Sequence, residues 1–170
     1  NNIALLLKLQ LPFTISRKEK QMKNIFRFLF VVFCFFTATI QLPAQWIHTN
    51  GPYGGDIRCF AVSGTNIFAG AWGGVFRSTY NGTSWSAVNN GLTNLSILAL
   101  TVSGSNIFAG TSGGGVFLST DNGTSWSSVK AGLPSDDINA LAVSGANIFA
   151  GTYYGGVFLS TNNGTSWAAV

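Results

Sequence analysis

The chain has 170 residues and a formal charge of +4, but the charge sits at one end. Residues 1–44 hold Lys8, Arg17, Lys18, Lys20, Lys23 and Arg27 against Glu19; from Gln45 onward Arg58, Arg77 and Lys130 face Asp56, Asp121, Asp136 and Asp137, a net charge near −1. The basic isoelectric point is therefore no argument for nucleic-acid binding, and a single cysteine in that body, Cys59, excludes an intramolecular disulfide there.

From Met22 the chain reads Met22-Lys23-Asn24-Ile25-Phe26-Arg27, then an apolar run from Phe28 to Ile40, then Gln41-Leu42-Pro43-Ala44. A short basic start, an apolar centre and a small closing residue predict a signal peptide over 22–44, cleaved after Ala44. The apolar run of 13 residues would span roughly 20 Å as a helix, against about 30 Å of hydrocarbon. No stable membrane span is expected once the leader is removed. Cys34 follows Phe33 inside the run rather than closing it after a small residue, so no lipid anchor is expected. Residues 1–21 precede this start and are read as an upstream extension outside the fold. The product is expected to be secreted, periplasmic or on the cell surface.

The remaining 126 residues, 45–170, are long enough for a moderate core and carry a repeat. Ser63-Gly-Thr-Asn-Ile-Phe-Ala-Gly70 recurs as Ser103–Gly110 and Ser144–Gly151, and Trp85, Trp126 and Trp167 are each 41 residues apart. A fixed period in this range marks stacked units that cannot bury their own apolar faces. Each unit reads as four short strands. The first is Ile57–Val62, matched by Ile97–Val102 and Ile138–Val143. A Ser-Gly-x-Asn hairpin turn leads to the second, Ile67–Gly70 and its equivalents. The third is Val75–Ser78, Val116–Ser119 and Val157–Ser160, and the fourth starts at the tryptophan. Nothing after residue 45 has helical periodicity. First strands such as Ile97-Leu98-Ala99-Leu100-Thr101-Val102 are apolar on both faces, which suits sheets stacked between sheets. Four strands, a forty-residue period and two covered faces together predict an all-β, partial β-propeller with three antiparallel blades at about 56–88, 96–129 and 137–170. Trp46-Ile47-His48-Thr49 aligns with Trp85-Ser86-Ala87-Val88 as an orphan outer strand, 46–49, suited to closing a last blade. The column Cys59, Ala99, Ala140 demands a small residue, so Cys59 is read as a packed hydrophobe. Three blades do not close a ring of four to eight. The remaining blades of the same protein are the expected partners, and two open apolar faces are expected to favour association.

The turn Ser119-Thr-Asp-Asn-Gly-Thr-Ser-Trp126 resembles the Asp-box, or bacterial neuraminidase repeat, of sialidase, sortilin, xyloglucan hydrolase and photosystem II assembly factor-like propellers. The resemblance covers about residues 46 to 170 and implies the fold more specifically than the activity. Its structural positions here are Ser78, Gly82 and Trp85; Ser119, Asp121, Gly123 and Trp126; and Ser160, Asn162, Gly164 and Trp167. Asp121 is expected to accept hydrogen bonds from its own turn, and Asn162 can do the same. Tyr80 cannot, so the first turn should be the loosest. The Asp-x-Asn-Gly string lacks the further acids of a calcium loop, so no metal is assigned. The Asn-Gly-Thr sequons at Asn81, Asn122 and Asn163 recur because the turn recurs.

A meander places these turns on one rim and gathers the residues that differ between repeats on the other. That second rim holds Tyr53, Asp56, Trp72, Ser112, Lys130, Asp136, Asp137, Tyr153 and Tyr154. Of these Tyr53, Asp56, Trp72, Asp136, Asp137, Tyr153 and Tyr154 are the candidate ligand-binding residues, for a protein or carbohydrate partner. The sialidase form of the resemblance implies an arginine triad and a Tyr/Glu pair, but the body has two arginines and no glutamate. No catalytic residue and no cofactor is assigned. The expected function is an exported, non-catalytic propeller for binding or assembly; the alternative is a truncated glycoside hydrolase of sialidase or xyloglucanase type.

Overall fold

The computed structural model describes residues 18, 20–22, 51–52 and 55–170. The chain divides into two compact units, 1–46 and 47–170. In the first, Lys18, Lys20, Gln21 and Met22 are helical. The expected signal peptide from Lys23 on, the orphan strand at 46–49 and Tyr53 lie outside the described residues. No helix of the described residues is long and apolar enough to cross a membrane.

The second unit is three consecutive four-stranded antiparallel meanders. The first runs β1 (Ile57–Ser63), β2 (Asn66–Ala71), β3 (Gly74–Ser78) and β4 (Ser86–Ala87); the second β5 (Ile97–Ser103), β6 (Asn106–Thr111), β7 (Gly115–Ser119) and β8 (Ser127–Ser128); the third β9 (Ile138–Ser144), β10 (Asn147–Thr152), β11 (Gly156–Ser160) and β12 (Ala168–Ala169). Each sheet keeps chain order, so these are the blades of a partial β-propeller. The Ser-Gly-x-Asn segments turn β1 into β2, β5 into β6 and β9 into β10, with Ser63 paired to Asn66, Ser103 to Asn106 and Ser144 to Asn147.

The first strand of each blade carries a β-bulge at the same place. Ile57 pairs with Ala71 and Cys59 with Gly70, so Arg58 has no partner across the ladder. Leu98 and Asn139 are skipped in the same way. The extra residue bends its strand and re-aims one side chain.

The sheets stack through their apolar faces. One core joins Phe68 and Val75 of the first blade to Ile97, Leu100, Ile107, Phe117 and Trp126 of the second. Another joins Phe108 and Val116 of the second to Ile138, Ile148, Phe158 and Trp167 of the third. A single column shows what stacking does: Val75 and Val116 are 0% exposed, but Val157, with no following blade among the described residues, is 47% exposed. On the opposite side Phe60 is 60% exposed where its equivalent Leu100 is 8%. Among the described residues two apolar faces are thus open, one on the first blade and one on the third.

Close fit at the interface depends on glycine. A Cβ placed on Gly70 would lie 2.5 Å from Cys59 Sγ and 2.6 Å from Ile97 Cγ2. The small-residue column at Cys59, Ala99 and Ala140 therefore leaves room for the isoleucine of the next blade. Burial pushes the Cys59 thiol up to about 11, against a smaller lowering from the Gly70 backbone, so it remains a thiol at neutral pH.

One expectation needs correction. The fourth strands begin one residue after the tryptophan, at Ser86, Ser127 and Ala168, and hold two residues each. The amides of Trp126 and Trp167 are committed elsewhere, to the carbonyls of Asn90 and Ala131 in the preceding linkers.

Candidate functional site

The two rims of the stack have different chemistry. On one, each β3–β4 type connection is a tight turn built on a buried serine. Ser119 Oγ accepts from Gly123 N at 2.8 Å and donates to Asp121 Oδ1 at 2.8 Å. Asp121 also accepts from Ser125 N at 2.9 Å and Ser125 Oγ at 2.7 Å. Asn122 and Gly123 carry φ of 56° and 80°, which asparagine and glycine tolerate best. Asn162 reproduces the arrangement, accepting from Ser160 Oγ and Ser166 N and donating to Ser166 Oγ. At Tyr80 the side chain makes no such bonds; Ser78 Oγ still accepts from Gly82 N, and Thr83 Oγ1 donates to the Tyr80 carbonyl. The turn whose residue differs most therefore keeps its buried serine and loses its side-chain bridge.

The tryptophans do not close their own turns alike. Trp126 Nε1 donates to the Val88 carbonyl and Trp167 Nε1 to the Val129 carbonyl, each in the preceding blade at 2.7 Å. Trp85 Nε1 instead donates to Gly82 O in its own turn, at 3.1 Å. Gly91 and Gly132 mark where the linkers pass: a Cβ on either would collide with the Trp126 or Trp167 carbonyl.

The bonds to Asp121 hold its carboxyl down at about 2, with the Ser125 hydroxyl the largest cause, then the Ser125 amide and the Ser119 hydroxyl. The folded value lies below the ordinary carboxylate range. The stabilisation is therefore complete above about pH 4 and disappears as pH falls through about 2. The expected result of an acid titration is loss of protection at the Ser125 amide over that window, while Ser166, held by the non-ionising Asn162, keeps its own. Asp121→Asn should abolish the pH dependence and leave the fold intact, as read by amide exchange.

The other rim contains a groove of about 350 Å³ lined by Arg58, Trp72, Ser96, Leu98, Ser112, Asp137, Asn139 and Tyr153. All three blades contribute. Trp72, Ser112 and Tyr153 follow the second strands of their blades, and Ser96 and Asp137 precede the first strands. The Arg58 guanidinium lies over the Trp72 ring, 4.8 Å from its centroid, and donates no hydrogen bond to a described residue. Asp137 Oδ1 accepts from Ser112 Oγ at 2.9 Å, and its carbonyl accepts from Tyr153 N. Ser96 Oγ is the one buried side-chain polar atom among the described residues without a hydrogen-bond partner.

Of the residues proposed from sequence, the groove brings together Trp72, Asp137 and Tyr153. Asp136 is placed outside it: its carboxylate meets Lys130 Nζ at 2.9 Å, and its carbonyl accepts from Gly113 and Gly115. Tyr154 packs edge-on to Tyr153 and is 87% exposed, and the neighbouring Tyr153 phenol holds its own phenol above the usual range. Asp56 is exposed and does not line the groove. Sequence reasoning passed over Arg58, Leu98 and Asn139. Their signal was present as a column of Arg, Leu and Asn between two constant apolar positions, but a strand reading without the bulge hides where they point. No group of three His, Cys, Asp or Glu among the described residues could hold a metal ion.

Known structures resemble this stack. An ancestral GH74 enzyme aligns over 69% of the chain and 18% of its own length, with 25% identity and a TM-score of 0.58. YCF48 bound to a D1 peptide aligns over 72% of the chain and 42% of its own, with 17% identity and a TM-score of 0.59. The extracellular domain of the BT4673 system of B. thetaiotaomicron aligns over 73% and 18%, with 17% identity and a TM-score of 0.61. The chain therefore spans less than half the length of each of these. No curated protein matches it. A family model described as the DUF6242 beta propeller domain matches residues 34–170, most of the sequence, and the chain accordingly belongs to the DUF6242 β-propeller domain family.

Proposed function

We propose that this chain is an exported, non-catalytic propeller module that binds a protein or glycan ligand in the groove at the variable rim. One observation carries the reading: in three repeats alike enough to superpose by sequence, Arg58, Trp72, Leu98, Asn139 and Tyr153, which differ from repeat to repeat, line one concavity, with an unpaired guanidinium stacked inside it. A repeated scaffold holds constant what packs and varies what binds. The opposite rim is then structural, its turns acting as Asp-boxes whose residues are satisfied by one another. Export fits the leader over 22–44 and the extracellular neighbour. N-terminal sequencing of the exported product should begin at Gln45. Further blades of the same protein suit the open faces at Phe60 and Val157.

The structural neighbours favour a second reading as well, because GH74 enzymes share the fold. Glycoside hydrolysis needs two carboxyl groups flanking the bond. The groove presents one, Asp137, and Asp136 is tied to Lys130 outside it. Any second acid would come from sequence beyond these blades. Full chain applied to glycan and peptide arrays is expected to retain a ligand without releasing sugar from chromogenic glycosides. Trp72→Ala should weaken that retention about tenfold, the loss of one aromatic contact. Sugar release by the full chain that disappears with Asp137→Asn would instead establish the hydrolase.

A further inference from the structure

The bulge in each first strand is the feature that the groove and the repeat share. Ile57, Ile97 and Ile138 are constant, and Ile97 and Ile138 are fully buried in blade interfaces. Cys59, Ala99 and Ala140 pair across the ladder with Gly70, Gly110 and Gly151. Between them stands a residue with no ladder partner, and it is Arg58, Leu98 or Asn139. All three line the same groove. A bulged residue is released from cross-strand pairing, so its identity can change without disturbing its neighbours. The ladder is thus fixed on either side of a position whose chemistry is free.

The contents of the groove specify a ligand class. Arg58 has donors only, and stacking on Trp72 leaves its N–H groups unspent. Those N–H groups can be satisfied by a planar acceptor. The Ser96 hydroxyl is buried beneath the groove and is not among its ligand contacts. Asp137, the one carboxylate in the groove, is already held by Ser112. It would repel an anion at its own end and accept from a hydroxyl or amide there.

We propose that the bulge residue of each first strand is the position through which this scaffold selects its ligand, and that Arg58 makes the groove take a carboxylate-bearing group of monosaccharide size. This inference rests on the binding reading above. Two chemical sources supply such a group, a uronic acid or an acidic amino acid. Glucuronate and N-acetylglutamate, with glucose and N-acetylglutamine as uncharged counterparts, separate them.

The test is a titration of the full chain followed by NMR. At least one acid is expected to shift the Trp72 indole and Arg58 Nε–H resonances saturably, about tenfold more tightly than its uncharged counterpart, as a charge-assisted pair requires. Arg58→Leu should erase that preference without unfolding, because Leu98 already occupies the equivalent bulge. Arg58→Leu combined with Leu98→Arg should bring part of the preference back from the neighbouring blade. Neither acid binding at these resonances overturns the proposal. So does a preference that survives Arg58→Leu, or one that the double variant fails to recover. If arrays still retain a ligand in any of those cases, the binding reading stands and the bulge inference alone fails; if arrays also retain nothing, both fail.

Discussion

Trp126→Ala is expected to destabilise the protein by about 3–5 kcal/mol, the range for removing a buried tryptophan. The indole is 4% exposed, lies in the core between the first two blades and donates to the Val88 carbonyl. Its removal opens a cavity at a blade interface and leaves that carbonyl without its partner. Trp167→Ala should match it, since Trp167 is 5% exposed and donates to Val129 O. Trp85→Ala should cost less than half as much. That ring is only half-buried, packs beside exposed Phe60 and donates within its own turn. Urea denaturation of the three variants measures the ranking. Equal losses would mean that the tryptophans hold their own turns and not the blade before them.

The second large effect concerns a methyl group added rather than removed. Gly110→Ala is expected to cost about 1–3 kcal/mol through overpacking. Its Cβ would stand 2.7 Å from Ile138 Cγ2 and 3.1 Å from the Ile138 carbonyl, in a sheet that cannot retreat from its neighbour. Gly151→Ala occupies the same column one blade later, where the nearest atom is 3.4 Å away, and should stay within about 0.5 kcal/mol of the parent. Among the described residues, the two positions differ in whether a following blade packs against them. Thermal melting of both, side by side, separates a blade interface from an intrinsic requirement for glycine. A Gly151→Ala variant as damaged as Gly110→Ala would show that the glycine serves the strand and not the stack.

These expectations also show where the sequence was legible. The repeat made the blades visible because one physical demand, a strand apolar on both faces, was met three times at a constant spacing. The small column at Cys59, Ala99 and Ala140 was readable for the same reason, and Ile97 against Gly70 supplies its cause. The tryptophans stand out in the chain, but their partners do not. A hydrogen bond from Trp126 to Val88 crosses 38 positions, and no local pattern announces it. The groove was half visible. Trp72, Asp137 and Tyr153 stand out because they interrupt a repeat in loops. Arg58, Leu98 and Asn139 interrupt it inside a strand, where alternation assigns the wrong direction unless the bulge is known. Asp136 looked equivalent to its neighbour Asp137, but only geometry could show that Lys130 takes it.

Cross-relaxation between methyl and α protons tests the stacked arrangement most directly. In a sample with labelled isoleucine methyls, Ile97 Cγ2 should give strong NOEs to the Gly70 α protons, and Ile138 Cγ2 to those of Gly110. Absence of both, with each hairpin ladder intact, would mean that the sheets fold side by side without pressing together, and the groove built across them would have no floor.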